Sequence, residues 1–194
     1  MRRAQDALGC ANKISKSEIL VHIEELTVKT LGKIVIGILV CLVLVLMVLR
    51  VTGLDPKDRR PGLWLKGDLV TTPVANWSFT DKVRNVEVQT RTWYLLPHSV
   101  RINCVAYNGQ LYVSTVNPLG MNAPHNWNVN VARDPHVRLK IGNQLYDRTL
   151  SYVTDPAEKA AVMQARVKKY PQLKTDINTS IAENASARVY RVDN

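Results

Sequence analysis

Sixteen consecutive residues, Ile34 to Leu49, read IVIGILVCLVLVLMVL and carry no charged or strongly polar side chain. An α-helix over them is about 24 Å long, a little short of the ~30 Å hydrocarbon core of a bilayer. Lys33 and Arg50 close the run, and their aliphatic stems let the charged ends reach the head groups. A helix packed into a soluble domain would show a polar face over this length, and this one has none. A cleaved signal peptide is the rival reading. Signal peptides have shorter apolar cores nearer the N-terminus and end at small residues, whereas Met47-Val48-Leu49-Arg50-Val51 offers no such site. We therefore read residues 33–51 as one uncleaved transmembrane helix, with the lipid bilayer as its first partner.

Upstream, residues 1–32 form an N-terminal arm. Ser15 and Glu18 have capping-box spacing, and Ile19, Leu20, Ile23, Leu26 and Leu31 recur near helical spacing, which predicts an amphipathic helix or a continuation of the anchor. Basic residues stand on both flanks of the apolar run: Lys16, Lys29 and Lys33 before it; Arg50, Lys57, Arg59 and Arg60 after it. Their count gives no decisive orientation. A single-pass layout with the C-terminal domain on the non-cytoplasmic side is the expectation, by analogy with exported domains.

The chain's net charge is +10. Basic flanks beside anionic lipid explain much of it. Nucleic-acid binding would need a basic patch interleaved with exposed aromatics or a recognisable module, and neither is present, so no nucleic-acid partner is expected. The three cysteines, Cys10, Cys41 and Cys104, fall in the arm, the apolar run and the domain, so the domain holds no disulfide of its own. No Cys/His spacing suits a metal.

Two prolines in the polar stretch Asp55-Pro56-Lys57-Asp58-Arg59-Arg60-Pro61-Gly62 mark residues 52–62 as a linker. Residues 63–194 then alternate strand-like runs with turn signals. Leu63–Val70, Val83–Thr92, Val100–Tyr107, Gln110–Val116, Val137–Ile141, Gln144–Val153 and Ala187–Val192 are predicted strands. Asn108-Gly109 and Gly142-Asn143 are the hairpin turns. Asp155-Pro156-Ala157-Glu158 supplies a capping acid with proline at the first helical position, and Pro171 ends the helix that follows. The predicted class is mainly β (α+β): a small closed antiparallel barrel with one late helix, behind a single N-terminal transmembrane helix.

Three pieces between Val88 and Tyr170 carry a family resemblance. A strand ending Thr90-Arg91-Thr92 leads through Pro97-His98 into the next. Gly109-Gln110-Leu111-Tyr112-Val113-Ser114-Thr115 forms a hydroxyl-ended hairpin strand. His125-Asn126-Trp127-Asn128-Val129-Asn130 opens a helical turn before Asp134-Pro135-His136-Val137-Arg138-Leu139. Together they resemble the split β-barrel flavin-binding superfamily, which includes pyridoxamine 5'-phosphate oxidases and deazaflavin-dependent nitroreductases. The resemblance implies a bound FMN or related flavin, a homodimer, and a phosphate held by hydroxyls, backbone N–H groups and a cation. Arg91, His98, Ser99, Arg101, Ser114 and Thr115 are the candidate cofactor-binding residues, with Asn126, Trp127 and Asn130 closing the site. Each has a plainer role too: Arg91 and Arg101 as solvated strand residues, His98 as a turn residue, Ser114 and Thr115 as ordinary strand residues, and Trp127 and Asn130 as packing and capping groups.

The chain departs from that pattern in two places. No cation follows the hydroxyl strand between Asn122 and Trp127, and Thr92-Trp93-Tyr94-Leu95-Leu96 replaces the glycine-rich hairpin of the nitroreductases. No phosphate loop, nucleophile elbow or carboxylate pair is present. Asn76, Asn178 and Asn184 begin glycosylation-type triplets. Two functions stay open from sequence: a membrane-anchored flavin-dependent oxidoreductase, or a non-catalytic interaction subunit of a membrane assembly with an empty or haem-binding barrel.

Overall fold

A computed structural model describes residues 29–57, 60–115, 127–171 and 187–193. The N-terminal arm before Lys29, Asn126 and the triplets at Asn178 and Asn184 lie outside the described residues.

The chain divides into two units, residues 1–48 and 49–194. The first consists, among its described residues, of most of helix α1 (Lys29–Thr52), which is long and apolar enough by length and composition to cross a membrane. Its Leu, Ile and Val side chains from Ile34 to Val48 all stand exposed.

The second unit is a barrel. Strand β1 (Asp68–Leu69) is followed by a 3₁₀ turn (Ser78–Lys82), β2 (Asn85–Arg91), β3 (Pro97–Tyr107), β4 (Gln110–Thr115), α2 (Trp127–Arg133), β5 (His136–Ile141), β6 (Gln144–Tyr152), α3 (Pro156–Lys169) and β7 (Arg188–Asp193). The antiparallel ladder runs β6-β5-β2-β3-β4-β7, and β7 pairs back to β6, closing six strands. One edge of β6 is shared: Gln144 and Leu145 pair in parallel with β1, while Thr149 to Tyr152 pair with β7. The fold is the expected split antiparallel β-barrel with a late helix.

Alternation explains the closure. Val86 and Val88 of β2, Leu111 and Val113 of β4, Val137, Leu139 and Ile141 of β5, and Tyr190 and Val192 of β7 point inward and fill the interior. Each fully buried aliphatic side chain contributes about 1.5–3 kcal/mol relative to exposure. The opposite parity on β4 and β7 supplies Tyr112 and Val189, which pack with Val105 of β3 against Val162 and Met163 of α3.

Local chemistry sets the turns and ends. Asn108 and Gly109 adopt φ of 50° and 75°, the left-handed pair of a type I′ hairpin. The Asp155 carboxylate accepts hydrogen bonds from the N–H groups of Ala157 and Glu158 at 3.1 and 3.2 Å, capping α3 as its sequence predicts.

Three details differ from expectation. Leu63–Val70 is a strand only at Asp68–Leu69. The rest of that segment lies across the barrel by single contacts: Gly62 pairs with Ser99, and the Leu65 N–H donates to the Gln89 side chain at 2.7 Å. Strand β3 begins at Pro97 rather than Val100, so His98, expected in a turn, pairs with Thr90 inside the ladder. Proline is tolerated there because it is the first residue of the strand.

Candidate functional site

The eight described candidate residues do not converge on one point. Strand parity sorts them first. His98 and Thr115 share the inward parity of Val100, Ile102, Leu111 and Val113, whereas Arg91, Ser99, Arg101 and Ser114 face the other way. Ser99 is fully buried beneath Gly62, and its hydroxyl has no hydrogen-bond partner among the described residues. Arg101 meets Glu87 across the ladder at 2.8 Å, so a carboxylate already occupies its guanidinium. Ser114 and Thr115 pair with Val189 and Arg188.

Trp127 and Asn130 plug the barrel. Helix α2, just before β5, packs against β2 and β3 and sends Trp127 and Val131 into the interior cluster. The Trp127 ring lies 5.5 Å from that of Tyr190. The Asn130 amide donates to the Thr90 hydroxyl at 3.0 Å, and that hydroxyl donates to the His98 carbonyl at 3.1 Å. Trp77 seals the end bearing the Asn108-Gly109 turn: its ring stands edge-on to Tyr146 at 5.2 Å, and its backbone N–H donates to the Gly109 carbonyl at 2.8 Å. Side chains of the described residues thus pack together in the barrel interior.

An outer cleft of about 500 Å³, within the usual range for small-molecule sites, is lined by Arg50, Trp64, Gln89, Arg91, His136, Arg138, Asp147 and Arg148, with Val137 and Thr149. Its floor is a cross-strand row. Gln89 of β2, Arg138 of β5 and Asp147 of β6 are consecutive register partners, all of outward parity. Among the described candidates, only Arg91 lines this cleft. Arg50, Gln89, Arg138 and Arg148 were not legible as site residues, because the register that lines them up is a tertiary fact. The one sequence signal is parity, which turns Gln89, Arg91 and Arg138 to the same side of their strands.

Cations dominate the cleft. Arg138 forms a two-pronged pair with Asp147, Nε to Oδ1 at 2.7 Å and an Nη to Oδ2 at 2.8 Å. These bonds hold the Asp147 carboxyl below its ordinary range despite a smaller upward push from burial, and they raise Arg138. Arg91 reaches Asp134 at 3.3 Å and stays 73% exposed. Asp134 also accepts from the backbone N–H of His136 at 3.1 Å and faces its ring Nδ1 at 2.8 Å. Burial pushes the Asp134 carboxyl up, but the His136 hydrogen bonds and the Arg91 charge together bring it below normal. Arg148 stacks on Trp77 and Tyr146 at 5.8 and 5.6 Å, donates to the Thr72 carbonyl at 3.2 Å, and leaves a buried Nε with no partner. Four arginines against Asp147 in the lining and Asp134 beside it leave surplus positive charge, a donor set suited to a phosphoryl or carboxylate group.

Among the described residues, no group of His, Cys, Asp and Glu could hold a metal ion.

No family model matches this chain, and no curated protein matches it. Solved structures do. A conserved hypothetical protein from Mycobacterium tuberculosis is 14% identical, with 63% of this chain and 84% of that one covered at a TM-score of 0.45. A protein ascribed to 5-nitroimidazole antibiotic resistance from Bacteroides thetaiotaomicron is also 14% identical, with 70% and 88% covered at 0.45. An F420-H2 dependent reductase is 21% identical, with 57% and 95% covered at 0.41. Other matches carry pyridoxamine 5'-phosphate oxidase and FAD-binding descriptions. At these identities and scores the likenesses carry no argument about chemistry. The fold stands on the strand pairing. It is a split barrel.

Proposed function

We propose that the chain is a membrane-anchored split-barrel protein whose arginine cleft binds the phosphate end of a flavin-type cofactor. The observation that carries the reading is the cleft's composition: Arg50, Arg91, Arg138 and Arg148 around one space, with Arg50 unpaired among the described residues and Arg91 only loosely paired. The cation that the sequence lacks after its hydroxyl strand is supplied instead from β2, β5, β6 and the end of α1. The Gln89 amide nitrogen and His136 add polar partners, and Trp64 offers a flat surface for a ring. Arg101 has the same outward parity and joins the site only if Glu87 yields its hold on it.

A bound flavin would supply two-electron chemistry, and this chain's residues would hold its phosphate and orient its ring. The reading places α1 across a membrane with the barrel on the non-cytoplasmic side, and it includes a homodimer.

A second reading is a non-catalytic subunit of a membrane assembly. Glu87 paired to Arg101 and Asn130 committed to Thr90 favour it, since both take candidate groups out of ligand binding. The test is the absorbance spectrum of the full-length protein in detergent, followed by thermal melts with FMN and with riboflavin. The flavin reading requires a bound chromophore or a rise in Tm with FMN that exceeds the rise with riboflavin. A colourless protein that neither ligand stabilises leaves only the second reading.

A further inference from the structure

The β2–β3 connection, Thr92 to Leu96, is the most apolar exposed turn among the described residues of the barrel unit. Trp93 is 80% exposed, Tyr94 46% and Leu95 93%. Leu95 also has φ of 67°, a left-handed conformation that branched and bulky side chains seldom adopt. Trp93 and Tyr94 support one another edge-on at 5.5 Å, and the Thr92 hydroxyl donates to the Leu96 carbonyl to close the loop. A turn that spends strain to hold three apolar side chains in water is a contact surface.

Two observations say what covers it. Arg91, two residues before Trp93, lines the same cleft as Arg50, which directly follows the last residue of the sixteen-residue apolar run. Arg50 and the residue that leads into the tip therefore line one cleft of the barrel unit. Charge gives the second argument. Arg91 stands at the tip's root, 73% exposed, and Arg133 donates to the Arg91 carbonyl beside it. Arginines beside exposed tryptophan and tyrosine suit a lipid surface, where the rings settle at head-group depth and the guanidinium groups meet phosphates. A second copy of the chain would bring these cationic rims together.

We infer that the Trp93-Tyr94-Leu95 tip inserts into the head-group layer of the same membrane that holds α1, making a second attachment that fixes the barrel against the bilayer. The inference rests on the membrane anchoring proposed above. Its role is positional: with the tip seated, the arginine cleft faces the membrane surface, so its ligand enters from or beside the lipid.

The full chain, reconstituted in phosphatidylcholine–phosphatidylglycerol vesicles carrying lipids brominated on their upper acyl carbons, tests this. Tryptophan emission should be quenched in the native protein, and Trp93→Phe should remove most of the quenched fraction. Leu95→Asp, at a position too exposed to affect folding, should weaken the quenching as well. Equal quenching in native protein and Trp93→Phe overturns the proposal. So does efficient thiol cross-linking between copies carrying Leu95→Cys, which would make the tip a copy–copy contact. Alkaline extraction separates the two failures. A chain that stays in the membrane with an unquenched Trp93 loses only the tip proposal, and a chain released by alkali loses the anchor and the tip together.

Discussion

The hydroxyl of Tyr170 accepts the backbone N–H of Cys104 at 3.2 Å and reaches the same residue's carbonyl at 2.8 Å. Strand β2 begins at Asn85, opposite Asn103, so Cys104 is where β3 loses its neighbour on that side. Tyr170, at the end of α3, takes the place of the missing strand and also donates to the Arg84 carbonyl. Lys169 beside it donates to the Thr80 carbonyl at 2.8 Å. One helix end thus ties the 3₁₀ turn, the entry to β2 and the middle of β3.

Tyr170→Phe keeps the ring and removes that hydroxyl. A buried N–H and carbonyl left unsatisfied cost about 1–3 kcal/mol. The expected result is a Tm lowered by several degrees, with exchange of the Cys104 amide accelerated. Burial, together with the Cys104 charge, pushes this phenol up to about 12, above its ordinary value of 10. A folded value above the unfolded one means the contribution is complete below the unfolded value and disappears as pH rises through the folded value. The stability gap between native protein and Tyr170→Phe should therefore narrow only in strongly alkaline solution.

Gly62→Ala should detach the segment between α1 and β1. A Cβ there would sit 2.2 Å from the Leu54 carbonyl oxygen, 2.5 Å from the Ser99 hydroxyl and 2.7 Å from the Pro56 nitrogen, and two of these are backbone atoms that cannot swing aside. Overpacking of this kind costs about 1–3 kcal/mol. Proteolysis of residues 54–66 should rise in the variant while the barrel's circular dichroism is retained.

Asp155→Ala removes the cap of α3. Two N–H groups lose their acceptor, and the expected loss is about 0.5–2 kcal/mol in a denaturant titration. Asp155→Asn should recover most of it.

Asp147 links the cleft to acid stability. Hydrogen bonds from Arg138 hold its carboxyl below the usual value of 3.8, outweighing the upward push of burial. A depressed folded value means that the pair's contribution is intact above the unfolded value and is lost as pH falls through the folded one. Native protein should exceed Asp147→Asn in stability at neutral pH, and the two should converge in acid below the ordinary aspartate range. A constant difference at every pH would show that Asp147 acts without its charge.

The elements were largely legible in advance, for reasons that act within a few residues. Asn108-Gly109 can take the left-handed turn a tight hairpin needs, and Asp155-Pro156 can satisfy and pre-form a helix start. Valines at alternate positions of β2 can bury one face only as a strand. Leu63–Val70 misled because Leu65 is buried by a long-range contact, its N–H donating to the Gln89 side chain, which mimics strand composition without strand pairing. The candidate site was less legible still. Trp127 and Asn130 read equally as ligand groups or as packing and capping groups, and their contacts with Tyr190 and Thr90 come from strands far away in the chain.

The local sequence by itself determined the apolar run, the turns, the cap and which face of each strand is oily, since these follow from side-chain chemistry over short separations. Only the tertiary structure decided that Gln89, Arg138 and Asp147 form one row, and that Arg50 and Arg91 share one cleft. Strand register and barrel closure join residues dozens of positions apart, and no local preference of the chain encodes which of them will meet.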